Sequence, residues 1–370
     1  MPETVITGSI WSDWSAIEDA IASRSEQNSS VDRVPTSGLF GWVGYDGRFV
    51  FGVYPRVLAY DHDCQLWQDS GGLADDLPEI GDMVVINPVP QLHFVPCTTR
   101  DSYVAAVERA QNYISAGDIY QVNLAVQWEA HWPGDGDPFA LYRRLRTVSP
   151  APHSAYMHLQ TTRVMSSSPE CFLRMEGRQI TTRPIKGTRP RFPEDAARDE
   201  ASAHELASSP KERAELLMIT DLERNDLGQV CDFGTVRVPE LAAVETYAQV
   251  FHLVSTVTGT LRLGTSHAAA LKACFPGGSI TGAPKKRARE IIQELEDGQR
   301  GIYTGALGYF GFNQRSEFNI AIRTAVQQAD KITFHTGSGI VADSIPGLEW
   351  EETLHKASGI LQAGRSVVPL

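Results

Sequence analysis

The run Gln121-Val122-Asn123-Leu124-Ala125-Val126-Gln127-Trp128 leaves the fold the least freedom. Val122, Leu124, Val126 and Trp128 alternate with Gln121, Asn123 and Ala125, and a period of two puts the sets on opposite faces of a β-strand. One face must therefore be buried in an apolar layer. The other, headed by two amides, turns either to solvent or into a polar pocket, and the alternation alone admits both.

The segments around it predict a mixed architecture. Val104, Val107, Ala110, Tyr113 and Ile114 recur at helical spacing, with Asp101 as the expected cap and Gly117 as the stop. Helices are also expected around Leu141, Leu145 and Val148, from Asp195 to about Asp221 with a break at Ser208-Ser209-Pro210, after Pro284, and from Gly347 to Leu361. Strands are expected near 154–159, 163–167, 171–175, 230–238, 250–262, 303–312, 317–326 and 331–334. Residues 1–97 read as a β-rich, turn-punctuated region packed on a core of residues 98–365, the whole forming one compact unit.

The chain has 370 residues, enough to bury a large core, with 42% hydrophobic and 21% charged residues. No run approaches the ~18 apolar residues of a membrane helix. The start, Met1-Pro2-Glu3-Thr4, lacks a signal-peptide pattern, so a cytoplasmic location and no membrane partner are expected. A net charge of −12 argues against nucleic acid. It also means that an anionic substrate would need a locally reversed field, from basic groups, helix N-termini or a cation. Cys64, Cys97, Cys171, Cys231 and Cys274 are scattered, with no zinc or disulfide pattern, and read as reduced, mostly buried thiols.

Several stretches carry chemistry. In Ile180 to Arg191 a β-rich run is interrupted by Pro184 and turns at Gly187, with Lys186 at the tightest point. A strand pair could bring Glu170 to the same wall, making either a solvated ion pair or a nucleophile with a general acid. Glu212 with Glu215, and Glu349 with Glu352, are spaced i, i+3 on two predicted helices. Each pair alone suits a solvated face, whereas two converging pairs would suit a hard cation such as Mg²⁺. Gly277 to Lys285 has phosphate-loop glycine spacing but Ala283-Pro284 where Lys-Ser/Thr is required, so it is a glycine-rich lead into a helix. Gly337-Ser338-Gly339 is either a tight turn or an anion nest. Arg323, on the predicted strand Asn319 to Arg323, needs a carboxylate partner if buried. His252 reads by default as a satisfied core histidine.

In this order the motifs resemble the chorismate-utilising enzymes, a family of anthranilate synthase large subunits, aminodeoxychorismate synthase component I, and isochorismate and salicylate synthases. The resemblance covers about 98–365. It rests on Gly117 to Leu124, Ser167-Ser168-Pro169-Glu170, Pro184 to Arg191, Leu217 to Asp226, Phe275 to Lys285, Ile320 to Thr324, and Gly337 to Ser344 with Glu349 to Thr353. It implies an α+β fold, two packed antiparallel β-sheets with helices outside. It implies Mg²⁺ held by Glu215 and Glu352, with Glu212 and Glu349 close by, meeting the ring carboxylate of chorismate. Arg323, Tyr303 and the backbone of Gly337, Ser338 and Gly339 match positions that hold the enolpyruvyl carboxylate; Thr188, His252, Thr281 and Lys356 match others around the pocket. Gln121 stands where water-adding members carry a lysine base. Lys186 stands where anthranilate synthases usually carry alanine, which marks the aminodeoxychorismate synthase component I branch. There the lysine attacks C2 while a glutamate matching Glu170 protonates the leaving C4 hydroxyl. The ammonia is expected from a separate glutamine amidotransferase subunit. Anthranilate synthase component I is the alternative, and a non-catalytic chorismate-binding subunit a more distant one.

Overall fold

The computed structural model describes residues 1–24, 34–77 and 89–365; the parts of the predicted N-terminal region at 25–33 and 78–88 lie outside them. Among the described residues every strand pair is antiparallel. A ten-stranded sheet runs from Thr4–Ser9 through Arg48–Tyr54, Gly38–Val43, Ala306–Gly311, Arg315–Ile320 and Cys171–Glu176 to Gln179–Arg183, Val250–Thr260 and Ile185–Pro190, with Arg237–Thr246 also on Val250–Thr260. A seven-stranded sheet follows the order Gly282–Ala283, Gln121–His131, Lys331–Ile340, Thr324–Gln328, Thr162–Ser168, His153–Leu159, with Val95–Pro96 beside Gln121–His131. The expected α+β fold of two antiparallel sheets is what forms.

Three of its apolar clusters position the two sheets. On the large sheet, Phe49, Phe51, Phe310 and Phe318 pack with Trp14 and Ile17 of the helix Ser15–Ala22. On the smaller sheet, Val122, Leu124, Val126 and Trp128 pack with the helices Arg100–Ser115, Pro138–Val148, Lys285–Leu295 and Pro346–Gly364. Between the sheets Trp42 and Leu307 meet Leu159 and Val164. Each fully buried large side chain contributes about 1.5–3 kcal/mol, so the apolar face of Gln121–His131 alone fixes its register. The start of its polar face does not reach solvent, since Gln121 is 0% and Asn123 8% exposed, whereas farther along Gln127 and Glu129 are half-buried and His131 is exposed.

The chain passes from one sheet to the other at two adjacent places. Thr162–Ser168 belongs to the small sheet and Cys171–Glu176 to the large one, so Pro169-Glu170 is a crossing. Arg315–Ile320 and Thr324–Gln328 are divided in the same way by residues 321–323. The crossings are stitched together: Ile320 N–H donates to the Glu170 carbonyl (3.1 Å), Ser168 Oγ to the Ile320 carbonyl (2.6 Å), and Ser167 N–H to the Arg323 carbonyl (3.1 Å). Arg323 therefore does not lie on a strand, as its apolar neighbours suggested. It sits at φ +48 in the break, because a strand changing sheets must leave extended geometry.

Other expectations shift. Gln179–Arg183 and Ile185–Pro190 run along the same partner in one register, Thr182 opposite Val257 and Ile185 opposite Val254. Gly187 (φ +68) makes a bulge between Lys186 and Thr188 instead of a hairpin turn. Gly337-Ser338-Gly339 is strand interior, paired with Ala125, Leu124 and Asn123. A methyl at Gly337 would stand 2.6 Å from the Leu124 carbonyl oxygen, so glycine there permits close approach of the chains. The strand expected at 230–238 forms at Arg237–Thr246. Thr99, not Asp101, caps the helix Arg100–Ser115. The helices Ser15–Ala22 and His267–Cys274 were not anticipated.

Candidate active site

The polar faces of both sheets and two long helices enclose the candidate site. Glu170, at the first crossing, is 5% exposed. Burial pushes its carboxyl above the usual range, against a Ser279 hydrogen bond and the nearby Lys186 ammonium. The bulge at Gly187 aims Lys186 across the gap: a methyl built on Gly339 would lie 3.5 Å from its Nζ and 3.1 Å from Gln121 Nε2. Gln121 Nε2 and Oε1 are both buried without a hydrogen-bond partner, as is Asn123 Oδ1. Three orphaned polar atoms on one wall cost free energy unless a ligand satisfies them.

The helix Pro210–Gly228 brings Glu212 and Glu215, and the helix Pro346–Gly364 brings Glu349 and Glu352. Burial raises the Glu215 carboxyl; Lys186 and Lys211 oppose this, while Glu212 and Glu352 add to it. Burial also pushes Glu352 up, but the Lys356 ammonium at 2.6 Å outweighs it and holds the carboxyl low. Lys356 donates in turn to the Gly337 carbonyl (3.0 Å), tying helix to strand. Glu212 stands 3.6 Å from Arg189, and Glu349, 5% exposed, accepts from Ser344 Oγ (2.7 Å). Among the described residues the one His/Cys/Asp/Glu group of three or more whose ligand atoms lie within 4.8 Å of one another is His153, Cys171 and Glu317, away from these glutamates. Glu215 feels the charge of Glu212 on its own helix and of Glu352 on the other. The four carboxylates offer only oxygen and are drawn toward Lys211, Lys356, Arg189 and Ser344. That donor chemistry fits a hard divalent cation.

At the second crossing Arg323 is largely buried, and burial lowers its guanidinium pKa. Among the described residues its side chain makes no hydrogen bond or ion pair. The carboxylate partner that burial requires is therefore absent from the protein itself, a reason to look for it in a ligand. His252 lies close enough to Arg323 to feel its charge. Its Nδ1 is 3.0 Å from Thr188 Oγ1 and 3.2 Å from the Gly187 carbonyl oxygen. Burial pulls the imidazole down to about 4, against the Gly187 bond and helped by Arg323, so it is neutral at pH 7.

Tyr303 is buried and stacked on His335 with centroids 5.1 Å apart, its hydroxyl 3.0 Å from a methyl built at Gly337. Thr281 is buried, but its hydroxyl is turned to the Gly277 carbonyl (3.0 Å). The Ser338 side chain points out of the pocket, its hydroxyl 2.9 Å from Tyr103 in the helix layer, so only its backbone faces inward with Gly337 and Gly339. Glu170, Glu215, Glu352 and Gln121 thus gather around Lys186, Arg323 lies beside His252, and Tyr303 lies beside Gly337. Asn123 and Ser279 were missed by sequence reasoning. Asn123 shares the Gln121 face at a spacing of two, a signal already in the alternation; Ser279 carries none.

Residues 80–362 match the family of chorismate binding enzymes, and the chain belongs to that family. It is 43% identical over 265 residues to aminodeoxychorismate synthase component 1 of Bacillus subtilis, covering 72% of this chain and 56% of that protein. It is 46% identical over 265 residues to anthranilate synthase component 1 of Thermus thermophilus, covering 72% and 57%. The chain thus spans a little over half the length of these two relatives. Anthranilate synthase component I from Streptococcus pneumoniae superposes with a TM-score of 0.81 at 28% identity, over 93% of this chain and 85% of that one. The family drawn from the motifs and the fold it implied both hold.

Proposed function

We propose that this chain is component I of an aminodeoxychorismate synthase, converting chorismate and ammonia to 4-amino-4-deoxychorismate. The observation that carries the reading is Lys186 aimed into the pocket beside Glu170 and opposite Gln121. A glutamine cannot act as the base that adds water to the ring, whereas a lysine in this position is a nucleophile with an acid at hand.

In this reading Arg323 and the inward backbone of Gly337 to Gly339 hold the enolpyruvyl carboxylate, with Tyr303 beside them. Thr188, His252, Thr281 and Lys356 shape the pocket, His252 as a neutral group. Glu215 and Glu352, supported by Glu212 and Glu349, would hold Mg²⁺, which when bound neutralises the ring carboxylate. The Lys186 amine bonds to C2 as the double bonds shift and the C4–oxygen bond breaks. The hydroxyl leaves as water with the proton of Glu170. Ammonia, supplied from glutamine by a separate amidotransferase subunit, bonds at C4, the double bonds shift back, and the C2–nitrogen bond breaks to free Lys186. The proton shed by the new C4 ammonium returns to Glu170, so the cycle closes on one water released per ammonia used. Such chemistry serves 4-aminobenzoate and folate synthesis in the cytoplasm.

Anthranilate synthase component I is the second reading, favoured by relatives of that name at 44–46% identity. Incubation with chorismate, Mg²⁺ and an ammonium salt separates the two. Aminodeoxychorismate is expected by mass spectrometry; fluorescent anthranilate would overturn the reading. Lys186→Ala is expected to bind chorismate normally and lose nearly all amination. Unchanged turnover would rule out the covalent route.

A further inference from the structure

Three side chains with metal-binding atoms meet at the seam between the sheets, and the steps above use none of them. His153 opens the strand His153–Leu159 of the seven-stranded sheet. Cys171 and Glu317 lie on the neighbouring strands Cys171–Glu176 and Arg315–Ile320 of the ten-stranded one. His153 Nδ1 stands 3.0 Å from Glu317 Oε1, and one donor atom from each of the three residues, Cys171 Sγ included, lies within 4.8 Å of the others. Cys171 is 3% exposed. Two neighbours hold the group in place: Arg174 donates to both Glu317 oxygens (3.1 Å each), and Asn319 Nδ2 donates to the His153 carbonyl (2.8 Å). Glu317 also borders a cavity of about 310 Å³, lined by Arg174, Tyr309 and the exposed His62, which gives an ion a way in.

We propose that His153, Cys171 and Glu317 form a binding site for a divalent cation of the zinc class, separate from the glutamates expected to hold Mg²⁺. An ion pair between His153 and Glu317 explains those two side chains but gives the sulfur no part. A buried thiol commonly serves as a small apolar filler; here its Sγ stands near a ring nitrogen and a carboxylate instead. One nitrogen, one sulfur and one oxygen around a point are donors that Zn²⁺ takes, whereas Mg²⁺ and Ca²⁺ select oxygen alone. Ligands about 2.0–2.3 Å from a shared ion stand roughly 3–4 Å apart, so small side-chain rotations close the set and leave a fourth position to water. On binding, the thiol gives its proton to solvent and the sulfur lone pair goes to the metal. Thiolate and carboxylate then balance the two charges of the ion, while Arg174 stays on Glu317 as an outer partner. Because its ligands come from both sheets, the occupied site ties them together beside the crossing at Pro169-Glu170.

The test takes the full chain, stripped of metal by a chelator, and titrates it with Co²⁺ while excess Mg²⁺ occupies the glutamates. Thiolate-bound Co²⁺ gives an intense near-ultraviolet charge-transfer band that an all-oxygen site lacks. The band is expected to saturate at one equivalent per chain and to fade as Zn²⁺, the tighter binder, displaces Co²⁺. The melting temperature is expected to rise with added Zn²⁺. Cys171→Ser should lose both the band and the rise, and His153→Gln should weaken Co²⁺ binding at least about tenfold. The doubly substituted Cys64→Ser, Cys97→Ser protein, without the two exposed thiols, should keep the band. Absence of the band from the wild type, its survival in Cys171→Ser, or its loss with Cys64 and Cys97 would overturn the proposal. The wild-type titration needs no variant to fold, and none of these readouts depends on which product the enzyme forms.

Discussion

Replacing Arg323 by methionine should move stability and ligand binding in opposite directions. The guanidinium is largely buried at the crossing of the sheets and, among the described residues, has no carboxylate or hydrogen-bond partner. Each hydrogen bond from a charged group to a ligand carboxylate is worth about 1.5–3 kcal/mol, and a guanidinium can make two. Their loss should weaken chorismate binding by about 4 kcal/mol, roughly a thousandfold in Kd. In the free protein the same substitution removes an unpaired, poorly solvated charge and leaves an apolar chain of similar length. Part of the group still touches water, so the gain is smaller than for a fully buried charge, about 1–2 kcal/mol. The strain of φ +48 is common to both side chains. Calorimetric titration with chorismate and thermal unfolding without ligand read the two quantities on one preparation. Wild-type affinity in Arg323→Met, or a variant less stable than wild type, would refute the reasoning.

Two further outcomes follow from the site's charges. Glu215→Gln should abolish the tightening of chorismate binding by Mg²⁺ seen in calorimetry, while binding without metal changes little; wild-type metal dependence would assign the cation elsewhere. His252 is held neutral, with its folded value of about 4 below the ordinary 6.5. The unfolded chain therefore takes up a proton before the folded one does. The stability from His252 is complete above pH 6.5 and is lost as pH falls toward 4, in all about 3 kcal/mol. Denaturant unfolding of His252→Asn should show a flatter dependence across that window than wild type, and identical slopes would contradict the assignment.

The sequence made much of this legible, for reasons particular residues show. The alternation at Gln121 to Trp128 predicts a strand because its apolar face fills the helix-side core, yet it cannot tell pocket from solvent. That depends on Lys186, more than 60 positions away, lying across from it. The two Glu-x-x-Glu pairs have the spacing of a helix face, and both helices formed. Arg323 was placed on a strand because its neighbours are apolar. Local pattern records burial, not the change of sheet, and the break at 321–323 is imposed by tertiary pairing with Ser166 to Ser168. Gly337 to Gly339 looked like a turn for the same reason. Gly337 is required by the close approach of the Leu124 carbonyl and the Asn123 side chain, while Gly339 leaves room for Gln121 and Lys186, and no nearest-neighbour pattern contains either. The helix Ser15–Ala22 was missed although Trp14, Ile17 and Ile21 carry the helical repeat, since the surrounding β-rich stretch outweighed eight residues.

The two strand crossings have a consequence for how such a molecule fails. Glu170 and Arg323 hang on the same few backbone bonds that join the sheets, so no hinge can part them while both sheets persist. Denaturation should extinguish ligand recognition and global structure in a single cooperative step. A half-melted species that still grips its ligand has no place in this design.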